Sequence, residues 1–285
     1  MSQAPDDISE LAYRRVSCLI QSECGIAFSA AKRTMVETRL RKRARARGMA
    51  SLAAYCDYVH SRDGRAEELP HLIDAVTTHK TDFFREPAHF DYLTGQAIPE
   101  LAEAERAGTR RSLEVWSSAC STGEEPYTLA MVLSEYARGA AGGYSFHIEG
   151  TDISLPVLET ARAGVYPESA AQPVPPELRR RYMLRSKDPA KPLVRMAPEI
   201  RAAVAFRQLN LMDDDYGLAE APDVVFCRNV MIYFNRTEQH RILSRIILAM
   251  RTRGYLFMGH SESLNGLDLP LDQVAPTVYR RLDAR

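Results

Sequence analysis

From Leu113 onward, short apolar runs alternate with helical segments, and that alternation leaves few folds open. Leu113–Ser117, Ser145–Glu149, Asp223–Cys227, Gly254–Met258 and Thr277–Arg281 read as strands. Pro126 to about Arg138, residues 154–163 and a segment reaching Met250 read as helices. Proline suits a first helical turn. Gly164 stops the second helix. Asn235, with Glu238 three residues on, resembles a capping box for the third. Strands alternating with helices predict a mainly parallel sheet covered on both faces. Ligands of such sheets bind beyond the carboxyl ends of the strands. Ser117–Glu125, Asp152, Asn210 and Arg228–Tyr233 are therefore expected on one rim.

Residues 8 to about 80 carry a different rhythm. Ile8, Leu11, Val16, Leu19 and Ile20 fall near one helical face. Ser51 suits the cap of a helix carrying Leu52, Tyr55 and Val59, and Leu69, Leu72, Ile73 and Val76 repeat the pattern. Nothing here alternates like a strand, so this part is expected to be all-helical. A further helix is predicted over about 87–107. Residues 165–202 hold seven prolines (Pro167, Pro173, Pro175, Pro176, Pro189, Pro192, Pro198) and read as an inserted subdomain or long excursion.

The 285 residues are 45% apolar and 26% charged, a globular composition with room for about two domains. No stretch approaches the ~18 apolar residues of a membrane span. The opening MSQAPDDISE is polar and acidic, unlike a secretory signal. Five cysteines with no C-x-x-C spacing argue against a disulfide framework or a zinc site, and point to reduced thiols in a cytoplasmic protein. Cys120 lacks the His and Asp pattern that would activate a nucleophile. Net charge is zero, yet Lys32–Arg47 holds eight basic residues against one acid, Glu37. Such a run is a solvated helix face or a docking patch for an acidic partner.

The first strand–loop–helix unit, VWSSACSTGEEPY (115–127), has one glycine rather than G-x-G-x-x-G. Glu124 and Glu125 would repel a pyrophosphate, so the loop disfavours a dinucleotide. The same pair also suits a helix N-terminus on dipole grounds alone, and the loop does not choose between the two. Asp152, at the end of the second strand, stands where an acid accepts ribose hydroxyls; a turn or cap before Ser154 is the other reading. An acid for ribose without a phosphate cradle points to a phosphate-free adenosine cofactor such as S-adenosylmethionine. The two phenylalanines of TTHKTDFFRE (77–86) suit a core as well as a site.

These residues resemble the CheR family, the methyltransferases that esterify glutamates of bacterial chemoreceptors. The matching strings are TTHKTDFFRE (77–86), VWSSACSTGEEPYTLA (115–130), TDIS (151–154), NL (210–211), FCRNVMIYF (226–234) and GYLFMGHSESL (254–264). The resemblance implies an all-helical N-terminal domain over 1–80. It implies an α/β, Rossmann-like class I methyltransferase domain over 81–285, with a small β-subdomain inserted over 165–204. It implies S-adenosylmethionine and no metal. Carried over by position, cofactor contacts fall on His79, Thr81, Arg85, Glu125, Asp152, Asn210, Leu211, Arg228 and Asn229. Arg85 and Tyr233 fall beside the transferred methyl group. His79 departs from the family's usual Asn. The implied partner is the cytoplasmic part of a chemoreceptor, met by basic helix 32–47 and the inserted subdomain. Arg185-Ser-Lys-Asp-Pro lacks the glycines of a tether-gripping loop. A nucleic-acid methyltransferase, a non-catalytic receptor-binding module that senses the cofactor, and a dehydrogenase are the competing readings. Neutral charge and a single Trp speak against the first, the presence of Arg85 and Tyr233 against the second, and the absent G-x-G-x-x-G against the third.

Overall fold

The computed structural model describes residues 8–28, 32–140 and 143–283, and the leading segment Met1–Asp7 lies outside the described residues. The chain divides into two compact units. One runs to Thr78 and includes Tyr233–Glu238; the other holds His79–Ile232 and the chain from Gln239 on.

The first unit is helical: α1 (Glu10–Cys24), α2 (Arg33–Ala46), α3 (Leu52–His60) and α4 (Arg62–Val76). Ser9, Ser51 and Ser61 cap α1, α3 and α4 by accepting backbone N–H groups. Val16, Leu19 and Ile20 are buried, as their spacing predicts, but Leu11 is 70% exposed. It lies nine residues from Ile20, which at 3.6 residues per turn is the opposite face.

Much of the basic charge of α2 is used inside this unit. Arg33 bonds Glu37 (2.8 Å) and also Glu10. Arg39 donates to the carbonyls of Val76 (2.7 Å) and Thr77 (2.6 Å). Arg43 grips the fully buried Glu68 with two bonds, 2.8 and 3.0 Å, and Tyr55 donates to the same carboxylate (2.9 Å). Lys42 and Arg45 are exposed.

The second unit opens with α5 (Ala88–Tyr92) and α6 (Ile98–Glu105), where one helix over 87–107 was predicted. A π-helical turn, Leu93–Ala97, joins them, with the Ile98 N–H reaching back to the Leu93 carbonyl. Pro99 explains the break: it has no N–H to donate, and its ring crowds the carbonyl four residues back. There follow β1 (Leu113–Ser117), α7 (Glu124–Gly139), β2 (Phe146–Asp152) and α8 (Leu155–Ala163). The chain continues through β3 (Val165–Pro167), α9 (Pro176–Tyr182), β4 (Met183–Arg185), β5 (Leu193–Met196) and α10 (Pro198–Ala202). It ends with β6 (Val204–Gln208), β7 (Val224–Cys227), α11 (Arg236–Ala249), β8 (Tyr255–Met258), β9 (Leu271–Ala275) and β10 (Val278–Arg281).

Seven strands form one sheet in the order β6-β2-β1-β7-β8-β10-β9. The first five are parallel, and β10 runs antiparallel to β8 and β9. Strands β7 and β8 are buried at every residue, the pattern of strands covered on both faces. A separate antiparallel sheet, β3-β5-β4, lies within 165–196. The expectations missed β6 and β9. Phe206 and Arg207 of β6 are only half-buried, and β9 is an edge strand with an exposed middle, so neither makes a long apolar run.

Removing Arg43 would leave a buried carboxylate without its main counter-charge. Arg43→Met should cost roughly 2–3 kcal/mol in denaturant unfolding, below the ~3–5 of a fully buried pair, because Arg43 is 24% exposed and Arg47 stands 3.7 Å from Glu68. Lys42→Ala should stay within about 0.5 kcal/mol. Equal effects of the two would refute the internal role of Arg43.

Candidate active site

The carboxyl ends of β1, β2, β6, β7 and β8 bring the site segments of the second unit together. After β1 the chain turns through Ser118–Gly123, and Gly123 (φ 95°) caps α7. A Cβ on Gly123 would meet the Ala161 methyl at 2.8 Å, so only glycine fits this turn.

Two knots of polar groups meet at this turn. In one, the Asp152 carboxylate accepts the backbone N–H of Ser121 (2.9 Å) and of Ser154 (3.0 Å). The Ser121 hydroxyl donates to the His79 carbonyl (2.8 Å). The Leu209 N–H bonds the Asp152 carbonyl (3.0 Å), which brings Asn210 and the buried Leu211 alongside. Asn210 turns its own side-chain oxygen to the Met212 N–H (3.0 Å). Asp152 thus caps a turn at the carboxyl end of β2, as the second reading of its position expects. Burial pushes its carboxyl up, against the pull of the Ser154 and Ser121 N–H groups.

The second knot is built on Arg228, 6% exposed. Its Nε lies 3.3 Å from Glu125 and 3.5 Å from Glu86, and its Nη2 donates to the Arg85 carbonyl (2.5 Å). Its guanidinium sits 5.7 Å from the ring centres of both Phe90 and Phe226. Ser117 donates to Glu125 (2.6 Å), and Asn229 donates to Glu86 (3.4 Å). Burial pushes the Glu125 carboxyl up, with Arg228 opposing. For Glu86 burial is outweighed by Arg228 and the His260 N–H, and its carboxyl lies below the usual range.

Four non-glycine residues here have left-handed backbone: Phe84 (φ 54°), Glu86 (58°), Ser121 (49°) and Asn229 (58°). Such strain, of order 1–3 kcal/mol per residue, persists only where the surroundings over-determine it, and it gathers at functional sites.

Phe83 is core, edge-on to Tyr166 at 5.1 Å, which answers what composition left open. Thr81 and Arg85 are partly exposed, and Arg85 Nη1 donates to the Lys80 carbonyl (3.2 Å). Tyr233 groups with the helical unit, where Lys32 stands 5.2 Å over its ring. Cys120 is buried, and burial raises its thiol well above the usual value, which disfavours a nucleophile.

Glu86 and Glu262 lie inside the quoted strings but drew no role from the sequence. A carboxylate's partners from distant segments leave no periodic signal. Glu86, His89 and His260 also bring their ligand-type atoms within 4.8 Å of one another. Arg228 stands 3.5 Å from Glu86 in the same cluster.

Comparison with known proteins decides the family. Residues 79–280 match the description "CheR methyltransferase, SAM binding domain", and residues 11–77 match "CheR methyltransferase, all-alpha domain". The chain belongs to the CheR methyltransferase family. It is 39% identical over 272 residues to a chemotaxis protein methyltransferase of Klebsiella aerogenes, covering 95% of this chain and 90% of that one. A protein of the same name from Escherichia coli is 37% identical over 272 residues (95% and 91%), and one from Borreliella burgdorferi 33% over 275 (96% and 95%). As a member of this family the chain is an S-adenosylmethionine-dependent methyltransferase. Among the described residues no helix is long and apolar enough to cross a membrane.

His89, 2% exposed, has its pKa pushed down to about 4, first by burial and then by Arg228. The unfolded chain therefore binds the extra proton between about pH 6.5 and 4. The associated stability is complete above about pH 6.5 and is lost as pH falls toward 4, on the order of 2–3 kcal/mol. An NMR titration of the His89 ring should show a midpoint about 4; one near 6.5 would contradict this.

Proposed function

We propose that this enzyme transfers the methyl group of S-adenosylmethionine to glutamate carboxylates in the cytoplasmic part of a chemoreceptor, forming methyl esters. The observation that carries the reading is the chemistry of the rim. A cofactor with a ribose diol at one end and an amino-acid zwitterion at the other needs a carboxylate for the diol, a carboxylate for the ammonium and a guanidinium for the carboxylate. Asp152, Glu125 and Arg228 are of those three kinds, and the turn Ser118–Glu125 touches all three. Arg228 Nη1 is buried without a hydrogen-bond partner among the described residues, as a donor awaiting a ligand would be.

On this reading Asp152 accepts the ribose hydroxyls, and Asn210 and Leu211 border the adenosine. Arg228, Glu125 and Asn229, with His79, Thr81 and Arg85, surround the amino-acid end. The cofactor supplies an electrophilic methyl on a sulfonium. A substrate glutamate, with an ordinary pKa of ~4.3, is already a nucleophile at pH 7, so no general base is needed. Attack of an anion on a cation is charge annihilation, which a dry site favours. The protein's task is then to position and desolvate. Arg85 orients the incoming carboxylate, the role that the family resemblance also implies for Tyr233. Arg85 acts only as a guide, since a tight ion pair would quench the nucleophile. Cytoplasmic residence follows from such a substrate and agrees with five free cysteines.

Incubation with methyl-labelled cofactor and receptor cytoplasmic fragments should give base-labile label on glutamate. Base-stable label, or label on another residue type, would refute the carboxylate reading. For docking, Lys42 and Arg45 are the exposed basic residues of α2 to test, since Arg43 is engaged internally. Lys42→Glu with Arg45→Glu should raise receptor KM about 5- to 30-fold at low salt, two charges at ~0.5–1 kcal/mol each. Cofactor affinity should not change. An unchanged KM at low salt would remove α2 from the docking surface.

A further inference from the structure

We propose that Glu262 is a positioning residue: a buried carboxylate clip that sets the backbone from which Arg228 and Asn229 present their side chains to the cofactor. The inference rests on the site reading above. Glu262 is 5% exposed. One of its oxygens accepts the N–H of Asn229 (2.7 Å) and of Gly259 (2.7 Å). The other accepts the N–H of Met231 (2.7 Å) and of Ile232 (3.4 Å). A carboxylate offers about four lone-pair sites, and here four N–H groups aim at them. Burial pushes the carboxyl up while these four N–H groups pull it back toward ionisation.

Three of the donors lie in the loop after β7. A chain leaving a parallel strand into a short helical turn has N–H groups with no partner in either element. Glu262 gathers them, and Asn229 takes up its left-handed φ of 58° at the same place. The bonds of Glu262 hold a strained conformation that the loop alone would not keep. The approach is close enough to dictate Gly259, where a Cβ would meet Asn229 Nδ2 at 2.4 Å and Glu262 Oε2 at 2.8 Å. With its oxygens committed to backbone, Glu262 acts through the loop rather than on a ligand.

The test separates charge from shape. Glu262→Gln keeps the volume but turns an NH2 group toward two backbone donors, whichever way the amide faces. Glu262→Asp loses a methylene but keeps both acceptor oxygens. The clip predicts that Glu262→Gln raises the cofactor dissociation constant ~10-fold or more in calorimetry and lowers turnover, and that Glu262→Asp is closer to wild type. A residue that merely fills space would give the reverse order, which overturns the inference. Asp152→Ala and Asn229→Ala are measured in parallel. If they weaken binding while Glu262→Gln does not, the clip is wrong and the site stands. If neither weakens binding, the site reading itself fails. Hydrogen exchange on the wild-type protein covers the case where Glu262→Gln does not fold. The amides of Asn229, Met231 and Gly259 should exchange slowly despite lying outside strands, and fast exchange would overturn the proposal.

Discussion

A guanidinium removed from water must find its counter-charges in the protein, and Arg228 finds them on two segments far from it in sequence. Glu125 comes from the start of α7, Glu86 and the Arg85 carbonyl from the segment before α5, and the aromatic walls from α5 and β7. Desolvating such a charge is costly unless its partners are well placed. The rim is therefore assembled around Arg228. The half-buried Glu125 and Glu86, with its left-handed backbone, both meet it there. A loosened Arg228 would leave two carboxylates close together without compensation.

Charge elsewhere does different work. Asp223, fully buried before β7, takes two bonds from Arg111 (2.6 and 2.7 Å) and the Glu114 N–H (3.0 Å). This ties β7 to β1 at the ends remote from the rim. Glu68 in the helical unit does the same for α2, α3 and α4 through Arg43 and Tyr55. In both places the carboxylate oxygens are taken up by donors of the protein itself. At the rim Arg228 keeps a buried donor without a partner among the described residues. A donor left over at the rim is one that the proposed ligand could take.

The parts of the fold legible in the sequence are those with strong local signals. Strands β1, β7 and β8 are apolar runs, and the caps at Ser51 and Asn235 are side chains next to the helices they start. The parts that escaped have weak or competing local signals: half-buried β6, edge strand β9, the π-helical turn ahead of Pro99, and Leu11 on the outer face of α1. In the site, motif strings marked the right segments. They did not say that Phe83 is core, that Arg85 offers its carbonyl to Arg228, or that Glu262 is an anchor for backbone.

By itself the sequence determined the alternation of strand and helix after Leu113, the helical start, the family and the chemical kinds of residue at the rim. All of these are written in period, composition or short contiguous strings. Only the tertiary structure decided which charges are spent inside the protein and which are offered outward. Arg43 and Lys42 are adjacent in α2, yet one holds a buried carboxylate and the other is exposed. A residue's charge is a local property, but its counter-ion is set by chain segments tens of residues away, and only folding brings those within reach.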